Sequence, residues 1–458
     1  MKLHKGIIEV ILANIINLII SIGNGFFLPK YLSIESYADV KTFLLYISYV
    51  GVLHFGYVDG VYIKYGGKLI QEISTEELAY EKKVLALFQI VITLPILLIA
   101  CFDRDFNLLC ASFSVLPINM VSYFKFIYQA TGEFKKYRYI TNLSTILVFV
   151  FNLIFLFIIK TDFSLWYIGT HVLVSFTICC FYEWRNKCGS IRNKITLKGI
   201  CIRLKENINL GIVIMLGNFM GMWITSIDRW FVKFSFNVAE FAYYSFAVTM
   251  LRFINVVVTA FSITLYSFFC KEPEKEDVVR LRRMVLVIGA VIIAAIFPID
   301  LIIQIYLKKY IYAIPVIRIL FLTQFILIEV NAIYLNLYKA NNLQKKYLIH
   351  MLVITVFAFI SNLVIGYLWR NNIAAYSLAT FLTSLVWLIL CQADLPQYKM
   401  SKREWIYILL TVTAYFVCNC FNAWMGMALY VGWIIIETTI LFLKDIRLLF
   451  GMMKSKKE

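Results

Sequence analysis

Tyr128-Gln129-Ala130-Thr131-Gly132-Glu133-Phe134-Lys135-Lys136-Tyr137 and Tyr338-Lys339-Ala340-Asn341-Asn342-Leu343-Gln344-Lys345-Lys346-Tyr347 are the two stretches on which the reading of the fold turns. They agree at both Tyr positions, the Ala and the Lys-Lys pair, at a constant offset of about 210 residues, and each follows a long apolar run. A shorter echo sets Ser36-Tyr37-Ala38 against Glu240-Phe241-Ala242 at nearly the same spacing. Two copies of one unit are therefore expected. If each copy spans a membrane an even number of times, both share one orientation, related by an axis along the membrane normal.

Composition says what surrounds those copies. The chain is 61% apolar and only 16% charged, a balance outside that of soluble domains. A rule of about 20 apolar residues per span gives segments at 7–29, 42–62, 84–102, 108–128, 139–159 and 164–184. Six more follow at 208–230, 241–268, 284–303, 313–338, 348–368 and 373–392, and a final pair at 405–421 and 423–443. The expected fold is an all-α integral membrane protein of about 14 transmembrane helices: two parallel six-helix repeats plus two C-terminal helices. In domain terms these are an N-terminal six-helix lobe (1–184), a basic cytoplasmic linker (185–207), a C-terminal six-helix lobe (208–392), and helices 13–14 with a cytoplasmic tail (393–458). The opening Met1-Lys2-Leu3-His4-Lys5 imitates a signal peptide, but the run after it is long enough to span, carries Asn14, Asn17 and Asn24, and lacks a small-residue cleavage site.

The net charge of +17 would suit nucleic acid if it were clustered on a soluble face. Placed on the span map, roughly 33 Lys and Arg fall on one side and about nine on the other, the bias that marks cytoplasmic loops. Both termini are thus expected in the cytoplasm, with no nucleic-acid partner. Loops stay below about 25 residues, too short for an extramembrane catalytic domain. The ten Cys are scattered through apolar runs, as at Cys101, Cys110, Cys179, Cys180 and Cys391, with neither a disulfide framework nor metal spacing. No phosphate loop or nucleophile motif is present.

Polar residues inside the spans carry the functional reading. Asn14, Asn17, Ser21 and Asn24 recur every three or four residues on the first span. Ser245, Thr249, Arg252, Asn255, Thr259, Ser262 and Tyr266 do so on the eighth. Such stripes cannot face acyl chains; they face protein, as helix-to-helix glue, or water. Arg252 lies near mid-membrane, where its retention costs about 2.5–3.5 kcal/mol on insertion scales and calls for a partner or a wet cavity. Arg318 and Glu329 share a face of the tenth span but stand about 16 Å apart along it, too far to neutralise each other. Arg318 is read as a weaker anion ligand or a snorkelling rim residue. Glu329 is read as a coupling site for protons or sodium, or else as a structural ion pair, for example with Arg252. Asp228-Arg229 reads as an interfacial anchor, Gly56 and Gly60 as a close helix contact, and Glu437 is a buried acid without explanation. Amides, hydroxyls and a guanidinium together suit an anion rich in hydroxyls, such as a lipid diphosphate carrying an oligosaccharide.

With these residues in place, the sequence resembles the Wzx-type (O-antigen) polysaccharide flippases of the superfamily that also holds the multidrug and toxic-compound extruders. The likeness rests on Tyr31-Leu32-Ser33-Ile34-Glu35-Ser36-Tyr37, Phe55-Gly56-Tyr57, Tyr128 to Tyr137, Asp228-Arg229 with Ala239-Glu240-Phe241-Ala242-Tyr243-Tyr244-Ser245, and the stretch from Tyr306 to Tyr347. Where Ala38 and Ala242 stand, the family usually has Gly. The resemblance implies a V-shaped bundle like that of the extruders around a cationic cavity, in a bacterial inner membrane. It also implies alternating access that carries an undecaprenyl-diphosphate-linked repeat unit to the outer leaflet for surface polysaccharide synthesis, alongside glycosyltransferases and a polysaccharide polymerase. By similarity to the peptidoglycan-precursor flippases, Arg252 takes the phosphate role and helices 13–14 the lipid groove, whereas the first span offers Asn in place of Arg. The expected substrate-binding set is Arg252, Asn255, Thr259, Thr249, Arg318, Asn14, Asn17, Ser21 and Asn24, with Glu329 as the ion-coupling candidate, no catalytic residue, and no metal or cofactor. Two rival readings stand beside it: an ion-coupled multidrug exporter, which calls for a cavity dominated by acids, and a membrane polysaccharide polymerase, which calls for a sizeable outer loop.

Overall fold

The computed structural model describes the backbone of residues 2–185, 196–269, 274–341 and 343–455; the side chains of 2–14, of most of 256–268, of 344 and 444, and of 446–455 lie outside the described residues. Every regular element among the described residues is helical. Two compact units divide the chain, Met1–Phe219 and Met220–Glu458.

The first unit contains α1 (Lys2–Tyr31), α2 (Ile34–Ser48), α3 (Tyr57–Tyr65), α4 (Thr75–Phe102), α5 (Phe106–Ala130), α6 (Phe134–Leu153), α7 (Ser164–Arg185) and most of α8 (Leu197–Ile224). Its centre is α5, which packs against α2, α3, α4, α6 and α7. The second unit contains α9 (Ile227–Ser235), α10 (Val238–Phe269), α11 (Lys275–Ile293), α12 (Ile296–Tyr306) and α13 (Ile314–Glu329). A π turn (Val330–Tyr334), α14 (Leu335–Ala340), α15 (Gln344–Leu368), α16 (Ile373–Asp394), α17 (Lys402–Cys418) and α18 (Ala423–Ser455) complete it. There α13 is central, packed against α10, α11, α12 and α16, and 72% of the most apolar 18 residues of Lys308–Ala340 are buried against 22% in Thr75–Phe102. Ten helices among the described residues are long and apolar enough to cross a membrane, or eleven with one bent pair, which makes the chain a multi-pass membrane protein. Two of the expected fourteen spans, α1 and α10, include side chains outside the described residues and are not among these ten. At 17 residues α17 reaches only about 26 Å, and the polar start of Lys402–Glu404 shortens its apolar part further.

The internal repeat is visible as matching backbone hydrogen bonds. In the first unit Thr131 N–H donates to Ile127 O (3.0 Å), Glu133 N–H to Tyr128 O (2.8 Å) and Tyr137 N–H to Glu133 O (3.1 Å). In the second, Asn341 donates to Leu337 (2.9 Å), Leu343 to Tyr338 (2.9 Å) and Tyr347 to Leu343 (3.0 Å), the same turn at the same offset. The shorter echo is a matching helix start. Ser33 Oγ accepts from Ser36 N–H (3.2 Å) before α2, and Asn237 Oδ1 accepts from Glu240 N–H (2.9 Å) before α10. The buried pair that follows is Tyr37-Ala38 in one copy and Phe241-Ala242 in the other.

The copies then diverge. Where α10 is one uninterrupted helix, the second span bends by 56° between its halves, because Phe55 (φ +50°) and Gly56 (φ +81°) are both left-handed. The expected span 42–62 is thus two helices and a kink. Past the kink, Gly56 and Gly60 meet α8 backbone to backbone: a Cβ on Gly60 would lie 1.9 Å from Asn207 O, and one on Gly211 would lie 2.0 Å from Gly56 O. Gly60→Ala should cost about 1–3 kcal/mol by forcing α3 and α8 apart, read as a lower melting temperature of the purified protein. Gly67→Ala, where nothing stands within 4 Å but φ is +81°, should cost less. The α8 helix begins at Leu197, inside the expected linker, and ends at Ile224 rather than continuing to 230; residues 186–195 of that linker lie outside the described residues.

Candidate functional site

Charge inside a bilayer has to be accounted for, and the second unit holds most of it. Asp228, at the start of α9, is buried: its Oδ2 accepts from Tyr244 OH (2.6 Å) and Thr380 Oγ1 (2.9 Å), and its Oδ1 from Arg229 N–H (2.7 Å). Asp228 and Arg229, at 1% and 8% exposure, do not form the interfacial anchor that their place at a span end suggested. Asp228 ties α9 to α10 and α16. Near the other end of α12, Asp300 receives two hydrogen bonds from Arg318, Nη2 at 2.7 Å and Nε at 3.2 Å, and Tyr415 OH donates to the Arg318 carbonyl (2.9 Å). Arg318 is therefore a half-buried structural cation joining α12, α13 and α17. The partner it needs, Asp300, was not singled out from sequence.

A third cluster is fully enclosed. Arg282 on α11 forms a bidentate pair with Glu404 on α17 (Nε–Oε1 2.8 Å, Nη2–Oε2 2.9 Å) and also donates to the carbonyls of Tyr398 and Lys399. Both side chains are essentially without exposure. Glu329, at the end of α13, is wholly buried beside them, and neither of its carboxyl oxygens has a hydrogen-bond partner. Tyr243 and Phe246 of α10 pack their rings against Tyr310, just before α13, with centroids 6.0 and 4.5 Å apart. Glu437 gives one oxygen to Trp433 Nε1 (3.0 Å).

The eighth-span stripe is split by this packing. Ser245 and Thr249 are turned inward, and Thr249 Oγ1 bonds back to the Ser245 carbonyl (2.8 Å). Arg252 is exposed and Asn255, three residues on, is half-buried. The Thr259 side chain lies outside the described residues. On α1, Asn24 Oδ1 accepts from Asn152 Nδ2 of α6 (3.0 Å), which makes it a helix-to-helix contact. Asn17 is half-buried with an unpartnered Oδ1, Ser21 is exposed, and the Asn14 side chain lies outside the described residues.

The first unit holds its own buried hub, also missed in the sequence. Glu81 on α4 accepts from Tyr57 OH (2.5 Å), Lys64 Nζ (2.8 Å) and Asn207 Nδ2 (2.6 Å), with Arg203 Nη1 at 3.3 Å. Four donors satisfy one carboxylate and bind α3, α4 and α8 together, a structural role. A cavity of about 470 Å³ in the second unit, walled by Trp223, Trp230, Phe231, Phe234 and Phe359, carries no ionisable group and cannot hold a phosphate.

Among known proteins, no family model and no curated sequence matches the chain. Among solved structures, it is similar to the lipid II flippase MurJ in an inward closed conformation, at 12% identity over 96% of this chain and 99% of that one, with a TM-score of 0.69. Looser likenesses are to a MATE transporter in complex with Br-NRF (14% identity, 86% and 97% covered, TM-score 0.38) and a MOP superfamily transporter from Pyrococcus furiosus (14% identity, 86% and 94% covered, TM-score 0.34). The similarity to MurJ shows the fold, over nearly the whole of both chains.

Proposed function

We propose that the chain is a flippase that carries a diphosphate-linked glycan lipid, undecaprenyl-linked in a bacterial inner membrane, from the cytoplasmic to the outer leaflet by alternating access, with both termini in the cytoplasm. Surface polysaccharide synthesis is the process this serves, with glycosyltransferases supplying the substrate and a polymerase consuming it. The observation that carries the reading is Arg252, an exposed guanidinium some three to four turns into α10, with Asn255 beside it. Guanidinium offers paired donors to phosphate, and the amide offers a donor and an acceptor to sugar hydroxyls. The fold shared with a lipid II flippase supports the same substrate class.

The exporter reading requires acids open to a cationic substrate. Glu81, Asp228, Asp300, Glu329 and Glu437, acids in or beside the spans, are all buried, at 0–4% exposure. The test is translocation in liposomes by the purified protein, with a polyprenyl-diphosphate sugar, its monophosphate analogue and a lipophilic cation as the three substrates. Protein-dependent movement of the diphosphate lipid alone is expected; movement of the cation alone would overturn the reading.

A further inference from the structure

Glu329 stands out because nothing in its surroundings solvates a charge. It closes α13, and the five residues after it, Val330–Tyr334, form a π turn, an irregularity that stabilises nothing by itself and recurs where helices do work. Both of its oxygens are enclosed and lack a donor. An ionised carboxylate would lose several kcal/mol of hydration there with no hydrogen bond in return, so the neutral acid is the form that fits the packing as it stands.

The charged and titratable groups around it come from each packed element. From α11 comes Arg282, from α17 Glu404, and from the π turn Tyr334, with Cys391 of α16 beyond it; α10, also packed against α13, carries Arg252. Arg282 is the cation within electrostatic reach, and it is held by Glu404. Its guanidinium has five N–H groups, four of which are used on Glu404, Tyr398 and Lys399. Glu404 also caps its own helix, accepting from Ser401 N–H (2.6 Å) and Ser401 Oγ (2.7 Å), and Tyr334 OH donates to the same Tyr398 carbonyl that Arg282 binds (3.2 Å). One guanidinium therefore fastens the first turn of α17 and the Pro396–Tyr398 turn before it, and a second carboxyl, that of Glu329, lies in its field.

We propose that Glu329 binds a proton and competes with Glu404 for Arg282. With the proton on, Glu329 is silent and the bidentate Arg282–Glu404 clamp is shut. When the proton leaves to water, the new carboxylate draws the guanidinium toward the π turn, the clamp loses one of its two bonds, and the 396–405 segment is loosened. The terminal helix pair is thereby coupled to a proton through α11. The site is the ion-coupling position of the transporter reading, but the exchange of partners needs no substrate, so its test is made without one.

The experiment is amide hydrogen exchange on the purified full-length protein over a pH series, corrected for the intrinsic rate, following the peptide that covers 396–405. Opening of that peptide should rise about tenfold per pH unit through the transition, as for one titrating group, while peptides of α5 stay level. Glu329→Gln should keep 396–405 shut at every pH. The same rise in Glu329→Gln, or no rise in the native protein, overturns the proposal. If Glu329→Gln is not recovered folded, Glu329→Asp replaces it, and an unmoved midpoint in that variant overturns the proposal equally. None of these outcomes depends on which lipid is carried.

Discussion

Arg282→Met is expected to destabilise the second unit by about 3–5 kcal/mol, the cost of removing one member of a buried ion pair and leaving the other. The loss is larger than that of a hydrogen bond because of what remains. Glu404 keeps its Ser401 donors but loses both bonds from the guanidinium, and the carbonyls of Tyr398 and Lys399 lose theirs. Glu329 loses the cation in whose field it sits. Methionine fills much of the same volume, so the effect reports charge rather than a void. Thermal unfolding of the detergent-purified protein measures it, and the double variant Arg282→Met with Glu404→Leu should recover most of the loss, since an apolar pair replaces a buried ionic one at little net cost. Arg318→Met should cost less although its partner Asp300 is just as buried, because the Arg318 side chain is 32% exposed and partly solvated. Equal losses at the two positions would mean that burial does not set the strength of these pairs.

The contrast between these two arginines also shows what a sequence can and cannot display. Repeats and caps are local: Tyr128 and Tyr338 each close an apolar run in the same way, and Ser33 and Asn237 each precede a helix, so the two copies are legible in the order of residues alone. Arg318 is conspicuous because it interrupts an apolar run. Its partner Asp300 lies on a different helix, and Arg282 and Glu404 are separated by more of the chain still. Read along the chain, Arg282 belongs to a basic loop and Glu404 to a helix start; only folding turns them into a buried pair. Glu81 is similar, since its donors come from Tyr57, Lys64, Arg203 and Asn207. The polar stripes mislead in one respect: spacing of three and four marks a helix face but does not say what covers it. Asn24 Oδ1 accepts from Asn152 of α6 and Thr249 Oγ1 donates to the Ser245 carbonyl, whereas Arg252, on the same stripe as Thr249, is exposed. The kink at Phe55 and Gly56 is equally invisible along the chain, because a left-handed Phe has no residue signature.

Arg252→Ala is expected to lower transport of the diphosphate-linked lipid by roughly 10- to 150-fold, the factor that corresponds to about 1.5–3 kcal/mol for a hydrogen bond to a charged group. The side chain is exposed, so its truncation leaves no cavity in the second unit, and the amount of folded protein in the membrane should stay close to that of the native chain. Arg252→Lys keeps the charge but gives up the paired donors, and should fall between the two. Arg318→Ala serves as the contrasting case: it strands Asp300 in a buried site, so whatever transport it loses should follow its lower melting temperature and folded yield. The measurement is the initial rate of leaflet exchange in liposomes, normalised to folded protein, with surface glycan in cells as the second readout. A rate for Arg252→Ala within twofold of native, at equal folded amount, would mean that the exposed guanidinium does not hold the phosphate, and the flippase reading would lose the observation that carries it.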